Sequence, residues 1–265
     1  MISLPDKPKI ISKKDNWAKF QIEGLSPGYG ITIGNALRRV LISSLSGVAV
    51  TQMKIKGVQH EYSTISGVLE DIIIIAGNLK QLRFKMYGEE PQKATLKIKG
   101  EKKVKGSDFK TSSQLELINK SAHIATLTSG KSELEMEIQI EKGIGYEPTE
   151  RRKRKGKLEI GVIPIDAIFS PVRRVSYKVE NMRVGERTDF NRLYLEITTD
   201  GILSPQEALF QASKILVDHF SLFADPSVSK SAEKEKKEVK EIQKKVEKKQ
   251  KKYAQAEKKQ KIIKK

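Results

Sequence analysis

The sequence predicts an α+β fold in which antiparallel strands outnumber the helices. Between residues 82 and 141, short segments alternate apolar and polar residues and are separated by Gly, Ser and Lys turns. This pattern is typical of half-exposed strands in an antiparallel sheet. Two other segments, at 28–45 and 204–223, space their apolar residues at helical intervals instead. We therefore expect a sheet-rich chain with amphipathic helices before and after these strands.

The first half of the chain begins with a strand pattern over residues 9–25, and its polar break at 12–16 suits a hairpin turn. A further strand is predicted over 48–55, ending at Gly57. Residues 66–82 are ambiguous, because their central isoleucines are β-branched as in a buried strand while the apolar spacing is helical. We prefer a helix over 66–82, since strands seldom run that long.

The second half continues with alternating patterns that predict strands over 82–87, 94–98, 114–118, 134–141, 158–168, 172–179 and 193–198. Pro164 indicates an edge strand or a bulge, because proline cannot donate to a central ladder. A polar link is expected at 181–191. The capping box that runs from Ser204 to Glu207 then starts a helix, whose apolar stripe closes before Pro226.

The segment at 28–45 combines a glycine-rich lead-in with a two-faced helix pattern. Glycine tolerates backbone angles that other residues avoid, so we expect a tight turn followed by a helix capped by Asn35 or Thr32. One half of the helix is apolar and the other carries Arg38, Arg39 and Ile42. Arginines beside an isoleucine are typical of a partner surface, which predicts one face for the core or self-association and one for docking. The alternative is an ordinary amphipathic helix with a solvated basic side.

Composition sets broad limits on the class of protein. The 265 residues carry a net charge of +18, and residues 227–265 alone hold sixteen Lys and six Glu, a net of +10. A basic balance suggests an anionic neighbour such as nucleic acid, or an assembly built on it. There is no cysteine, which excludes disulfides and thiolate metal sites. The N-terminus is too polar for a signal peptide, so we expect a soluble, intracellular protein.

Catalytic signatures are absent from the sequence. The three histidines, His60, His123 and His219, lack ligand-like spacing, and no phosphate-binding or nucleophile motif occurs. The adjacent carboxylates at 70–71 suit capping or solvent exposure better than acid–base chemistry. The charge cluster at 151–155 could contact phosphate, although a solvated loop is the preferred interpretation. The chain is therefore interpreted as an interaction protein, with a stand-alone basic nucleic-acid-binding protein as the alternative.

One long motif and a series of shorter ones carry a family resemblance. The motif is Gly28-Tyr-Gly-Ile-Thr-Ile-Gly-Asn-Ala-Leu-Arg-Arg-Val-Leu-Ile-Ser-Ser-Leu45. It closely resembles the signature of the α subunit of bacterial and plastid RNA polymerases. Further collinear matches lie at 57–64, 70–72, 78–80, 143–146, 170–172, 187–189 and 204–208. The resemblance spans residues 10 to 225.

The resemblance implies both an architecture and a set of partners. It implies a discontinuous dimerisation domain of helices and antiparallel sheet (1–46 and 169–226), an inserted mixed α/β domain (47–168) and a Lys/Glu-rich tail (227–265). The subunit would be a homodimeric platform for the large β and β′ subunits of a DNA-directed RNA polymerase, with ω and sigma in the holoenzyme. It would have no catalytic residue, metal or cofactor of its own, and would be cytoplasmic and nucleoid-associated.

The family also implies a role for particular residues. Arg38, Arg39 and Ile42 would contact the β subunit, and Lys80 and Ile165 would contact β′. The dimer interface would use Leu37, Leu41, Leu209, Leu216 and Phe220. The resemblance does not include the small C-terminal helical domain that binds upstream promoter DNA in the family, so this domain is either naturally absent or removed. Contact with DNA is expected only through the assembly, or weakly through the basic tail.

Overall fold

The computed structural model describes residues 4–152 and 159–224, which form three α-helices and fourteen β-strands. The helices are α1 (Tyr29–Ser43), α2 (Ile72–Leu79) and α3 (Pro205–Ala224). The strands are β1 (Lys9–Lys14), β2 (Trp17–Leu25), β3 (Ser46–Ile55), β4 (Phe84–Met86), β5 (Gln92–Lys99), β6 (Lys102–Lys105), β7 (Leu115–Leu117), β8 (His123–Leu127), β9 (Glu133–Ile144), β10 (Tyr146–Glu147), β11 (Val162–Pro164), β12 (Ala167–Ile168), β13 (Val172–Val184) and β14 (Arg187–Thr199). All their pairings are antiparallel, which confirms the α+β class.

A first four-stranded sheet, in the order β1-β2-β14-β13, joins strands from both ends of the described chain. The register places Leu195 of β14 opposite Phe20 of β2. Every second residue of β14 is buried, from Asn191 to Thr199, as expected for a strand with one face turned to a core. Helix α1 packs against β13 and β14 of this sheet.

A second four-stranded sheet, in the order β11-β3-β9-β5, contains two of the four alternating segments predicted between residues 82 and 141, namely 94–98 and 134–141. The inward residues of β9 are buried, which confirms the predicted alternation: Leu134, Met136, Ile138 and Ile140. Helix α2 adds Ile72, Ile75 and Leu79 to the same apolar core. Two small sheets, β4-β7 and β6-β8, contribute further buried residues to this core.

Several predicted boundaries are wrong, for local physical reasons. The helix expected over 66–82 begins only at Ile72, because Asp71 caps it and Gly67 has a left-handed φ of 76°. The polar link expected at 181–191 is mostly strand, since β13 and β14 form one long hairpin that turns at Gly185 (φ 62°). The strand expected over 158–168 is instead β11 and β12. Strands β6 and β8 were not predicted, because β6 is short and mostly lysine.

The chain divides into a unit of residues 1–214 and a second unit of 215–265, of which the described part is the C-terminal half of α3. The domain boundaries implied by the resemblance stay a prediction, and the tail at 227–265 lies outside the described residues. Among the described helices, none has the length and hydropathy that a bilayer crossing requires.

Candidate partner-binding surfaces

Helix α1 lies unusually close to the first sheet because two of its residues lack a side chain. A Cβ on Gly30 would lie 2.7 Å from Cγ1 of Val179, and one on Gly34 would lie 2.8 Å from Cδ2 of Tyr177. Distances this short do not occur between packed carbon atoms, so only glycine allows the approach. The glycines were predicted to form a turn before the helix. They lie inside the helix instead, where they set its distance from the sheet.

The N-terminus of α1 is satisfied by a distant residue. The helix begins at Tyr29 after Gly28 (φ 83°), so the predicted caps Thr32 and Asn35 are wrong and lie within the helix. Oδ1 of Asn191, on β14, accepts hydrogen bonds from the backbone N–H of Gly28 (2.9 Å) and Gly30 (3.3 Å). These amides have no intrahelical acceptor, so Asn191 takes the place of a local cap. In the sequence, the only sign of this contact was an asparagine at an inward position of β14, where an apolar residue is expected.

The two faces of α1 differ as the sequence predicted. Leu37 and Leu41 are buried, whereas Arg38, Arg39 and Ile42 are exposed, with 42% of the Ile42 surface accessible. Neither arginine forms an ion pair with any residue in the described ranges. Two unpaired guanidinium groups beside an exposed isoleucine form a surface on which a partner can place carboxylates and an apolar side chain. We call this surface the α1 face.

The residues predicted for the dimer interface fall into two groups. Leu37, Leu41 and Leu209 are buried within the chain itself, so they are part of its own core. Leu216 is half-buried, and Phe220 is 61% exposed. Further large apolar side chains of α3 are also exposed: Phe210, Val217, Leu222 and Phe223. Large exposed apolar side chains are typical of a surface that is covered in an assembly.

Lys80 and Ile165 are close together but differ in exposure. Nζ of Lys80, the C-cap residue of α2, lies 3.2 Å from Oδ2 of Asp166. Ile165 is only 2% exposed, and its N–H donates to the carbonyl oxygen of Thr51 (2.9 Å). A hydrogen bond from the Thr149 N–H, together with the Lys80 ammonium, holds the pKa of Asp166 below its usual value against the opposing effect of burial. Contact between Ile165 and the β′ subunit stays a prediction. The side chains that reach the surface at this place are those of Lys80 and Asp166.

The carboxylates at 70–71 organise the start of α2. Asp71 caps the helix and accepts a hydrogen bond from the Ile74 N–H at 2.7 Å. Capping was one of the two predicted alternatives, the other being solvent exposure. Glu70 points inward and accepts from the N–H (2.6 Å) and hydroxyl (3.0 Å) of Thr126, and its Oε1 lies 2.8 Å from Nε2 of His123. Burial alone would raise the pKa of Glu70, but these hydrogen bonds outweigh it and lower the pKa below its ordinary value. The pair therefore has a structural role.

Three glycines and Phe169 form the junction between α1, the second sheet and β13. Gly47 of β3 lies opposite Gly143 of β9, and the buried Phe169 packs over both. The Phe169 N–H donates to the carbonyl oxygen of Gly145 at 2.8 Å. The segments 143–146 and 170–172, which carry part of the family resemblance, therefore meet at one place. No sequence periodicity indicates this contact, because its members lie in separate elements.

The remaining polar clusters lie in an open groove and around Arg152. In residues 4–152 and 159–224, no three His, Asp or Glu side chains gather as metal ligands would. Of the four lysines that line an open groove of about 670 Å³, three pair with neighbouring glutamates, namely Lys54, Lys56 and Lys97. Within the predicted cluster at 151–155, Arg152 is largely buried and bonds to Glu147 and the Thr51 carbonyl, so it is not a solvated loop residue. Arg151 is exposed, as the solvated-loop interpretation predicted, and residues 153–155 lie outside the described residues.

Comparison with known proteins identifies the class to which these features belong. Residues 53–170 match the family model described as the RNA polymerase Rpb3/RpoA insert domain. This is the class of domains that form part of RNA polymerase subunits, and the match covers β5, β9 and β11 of the second sheet and the end of β3.

Curated relatives then specify the family. The chain is 47% identical over 222 residues to the DNA-directed RNA polymerase subunit alpha of Symbiobacterium thermophilum, covering 82% of this chain and 70% of the relative. It is 46% identical over 224 residues to the same subunit of Roseiflexus castenholzii, covering 84% and 68%. The chain belongs to the DNA-directed RNA polymerase α-subunit family, which confirms the resemblance. None of these relatives is named as a stand-alone nucleic-acid-binding protein.

Proposed function

We propose that this chain is a homodimeric assembly platform for the β and β′ subunits of a bacterial-type RNA polymerase. Catalysis would belong to the large subunits, and this subunit would contribute no catalytic residue, metal or cofactor. The observation that carries the proposal is the α1 face of this family member, where Arg38, Arg39 and Ile42 are exposed and neither arginine has an ion pair among residues 4–152 and 159–224. The proposal also includes ω and sigma as partners and a cytoplasmic, nucleoid-associated location. It further includes weak attraction of DNA by the 227–265 tail.

The dimer would form through the two amphipathic helices that carry the predicted interface residues, α1 and α3. At 100° per residue, Val217 and Phe220 fall about 60° apart around the helix, so one partner surface can cover both. Leu216 and Phe220 would then contact the second copy directly. The buried leucines would support the interface from the core of their own chain: Leu37, Leu41 and Leu209. An obligate interface of this kind typically exceeds about 2,000 Å².

The two sheets support the proposed domain division. The first sheet uses strands within 1–46 and 169–226, and the strands of the second lie within 47–168 except for Ser46 at the start of β3. The α1 face would bind β, while Lys80, with Ile165 beneath it, would bind β′. Lys80 and Asp166 already form a pair, so a β′ residue would join an ion pair that exists before binding.

Arg39→Ala tests the contact with β. Removing one partner of a buried charge pair typically costs 2–5 kcal/mol, so we expect at least about a 30-fold weaker capture of β by the variant dimer. The measurement is formation of the α₂β complex from purified subunits at a series of concentrations. Lys103→Ala removes the same charge from an exposed site on β6 and should leave capture unchanged. Wild-type affinity in Arg39→Ala would exclude the α1 face as the β site.

A further inference from the structure

The guanidinium of Arg83 binds the C-terminal end of α2. Its Nη1 donates to the carbonyl oxygens of Lys80 (2.9 Å) and Leu82 (3.1 Å), and only 14% of the side chain is exposed. The last carbonyl groups of a helix lack intrahelical donors, so a side chain that reaches them fixes the final turn. The Arg83 backbone is held as well, since its N–H donates to Oδ1 of Asn119 at 2.8 Å.

The same guanidinium faces a buried carboxylate that belongs to the first sheet. Nε of Arg83 lies 3.4 Å from Oδ2 of Asp200, which follows β14 and is 4% exposed. The Asp200 N–H donates to the carbonyl oxygen of Pro171 (3.0 Å), and its Oδ1 accepts from the Ile202 N–H (3.0 Å). Asp200 is therefore fixed to the chain that enters β13 and leads to α3.

A buried pair of this kind is a poor source of net stability. Burial lowers the pKa of Arg83 and raises that of Asp200, because desolvation penalises both charged forms. Replacing a buried ion pair by apolar residues is often neutral or stabilising. Net stability therefore explains the Arg83–Asp200 pair poorly, and a geometric role explains it better. Arg83 contacts the end of α2 on one side and the end of β14 on the other, and thus determines how they are placed.

We propose that Arg83 is a positioning residue for the docking of β′, which holds Lys80 at a fixed place relative to the first sheet through Asp200. This inference rests on the proposed function, because it needs Lys80 as a β′ contact. The Lys80 side chain is held by Asp166 and its carbonyl by Arg83, so loss of Arg83 releases only the second restraint. The buried residues Ile72 and Leu79 keep α2 attached to its core without Arg83.

The experiment is the addition of β′ to a preformed α₂β complex, measured as an equilibrium with full-length chains. Arg83→Met keeps the aliphatic length of the side chain and removes every donor. We expect about a 10-fold loss in β′ affinity, within the usual range of coupling between sites, and an unchanged α₂β affinity. Arg192→Met, which breaks an arginine pair with Glu23 in the first sheet, is the matched control and should leave both steps unchanged.

The variant Lys80→Ala separates the inference from the proposed function. If Arg83 acts through Lys80, Arg83→Met causes no further loss of β′ affinity when Lys80 is already alanine. Additive losses, or wild-type affinity in Arg83→Met while Lys80→Ala is weakened, overturn the inference and leave the function standing. Wild-type affinity in Lys80→Ala overturns the proposed β′ contact itself. Asp200→Asn, which keeps the shape of the partner, repeats the test should Arg83→Met fold poorly, with a smaller loss in the same step.

Discussion

The junction at Gly47 permits a sharp test of packing. A Cβ at Gly47 would lie 1.7 Å from the carbonyl oxygen of Phe169 and 2.9 Å from its carbonyl carbon. An ordinary C···O approach is about 3.3–3.6 Å, so Gly47→Ala requires a displacement of about 1.6–1.9 Å. The obstacle is backbone, and it is fixed by the hydrogen bond from the Phe169 N–H to Gly145. Neither side can rotate away as a side chain would.

This geometry sets the expected magnitude. Overpacking that side chains can absorb costs about 1–3 kcal/mol, and a backbone clash belongs at or above the upper end of that range. We therefore expect Gly47→Ala to lower the free energy of unfolding by about 3 kcal/mol or more, a large share of the 5–15 kcal/mol that is typical of domains. Because β3 follows α1 directly, the same shift should also weaken capture of the β subunit.

Urea unfolding followed by circular dichroism measures the effect, with an expected fall of the midpoint by about 1 M or more. Gly77→Ala is the matched control, since Gly77 lies in α2 and a Cβ there meets nothing within 4 Å. Alanine is the better helix former, so this control should gain about 0.5–1 kcal/mol. An unchanged midpoint in Gly47→Ala would refute the close approach of β3 to Phe169.

Two further predictions concern the start of α2. The pKa of Glu70 is lower in the folded chain than its ordinary value of 4.5, so its ionised form stabilises the fold above about pH 4.5, and this contribution is lost as the pH falls through the folded pKa. Glu70→Gln should therefore lower the free energy of unfolding by about 1–3 kcal/mol at pH 7, and this difference from wild type should shrink toward pH 3. A difference in the free energy of unfolding that does not change with pH would contradict the stabilising role of ionised Glu70. Asp71→Ala removes the N-cap bond to the Ile74 N–H and should cost about 1 kcal/mol in the same unfolding assay, whereas Asp71→Asn, which keeps an acceptor, should cost much less.

The sequence was most informative where local periodicity and local hydrogen bonding decide the structure. The two faces of α1 and the inward residues of β9 both follow from residues within a few positions of one another. The family resemblance is of the same kind, because collinear motifs can be compared without any knowledge of contacts. The sequence alone therefore determined the α+β class, the family and the α1 face.

Tertiary structure decided the features whose partners lie far apart in the chain. The start of α1 depends on Asn191, and the close packing of the helix depends on Gly30 and Gly34 meeting strand β13 or β14. Burial of Ile165 and the pairing of Arg83 with Asp200 likewise join separate elements. Hydrogen bonds and steric contacts across such separations leave no periodic trace in the sequence, so only the folded chain shows which residues present a surface and which support it from beneath.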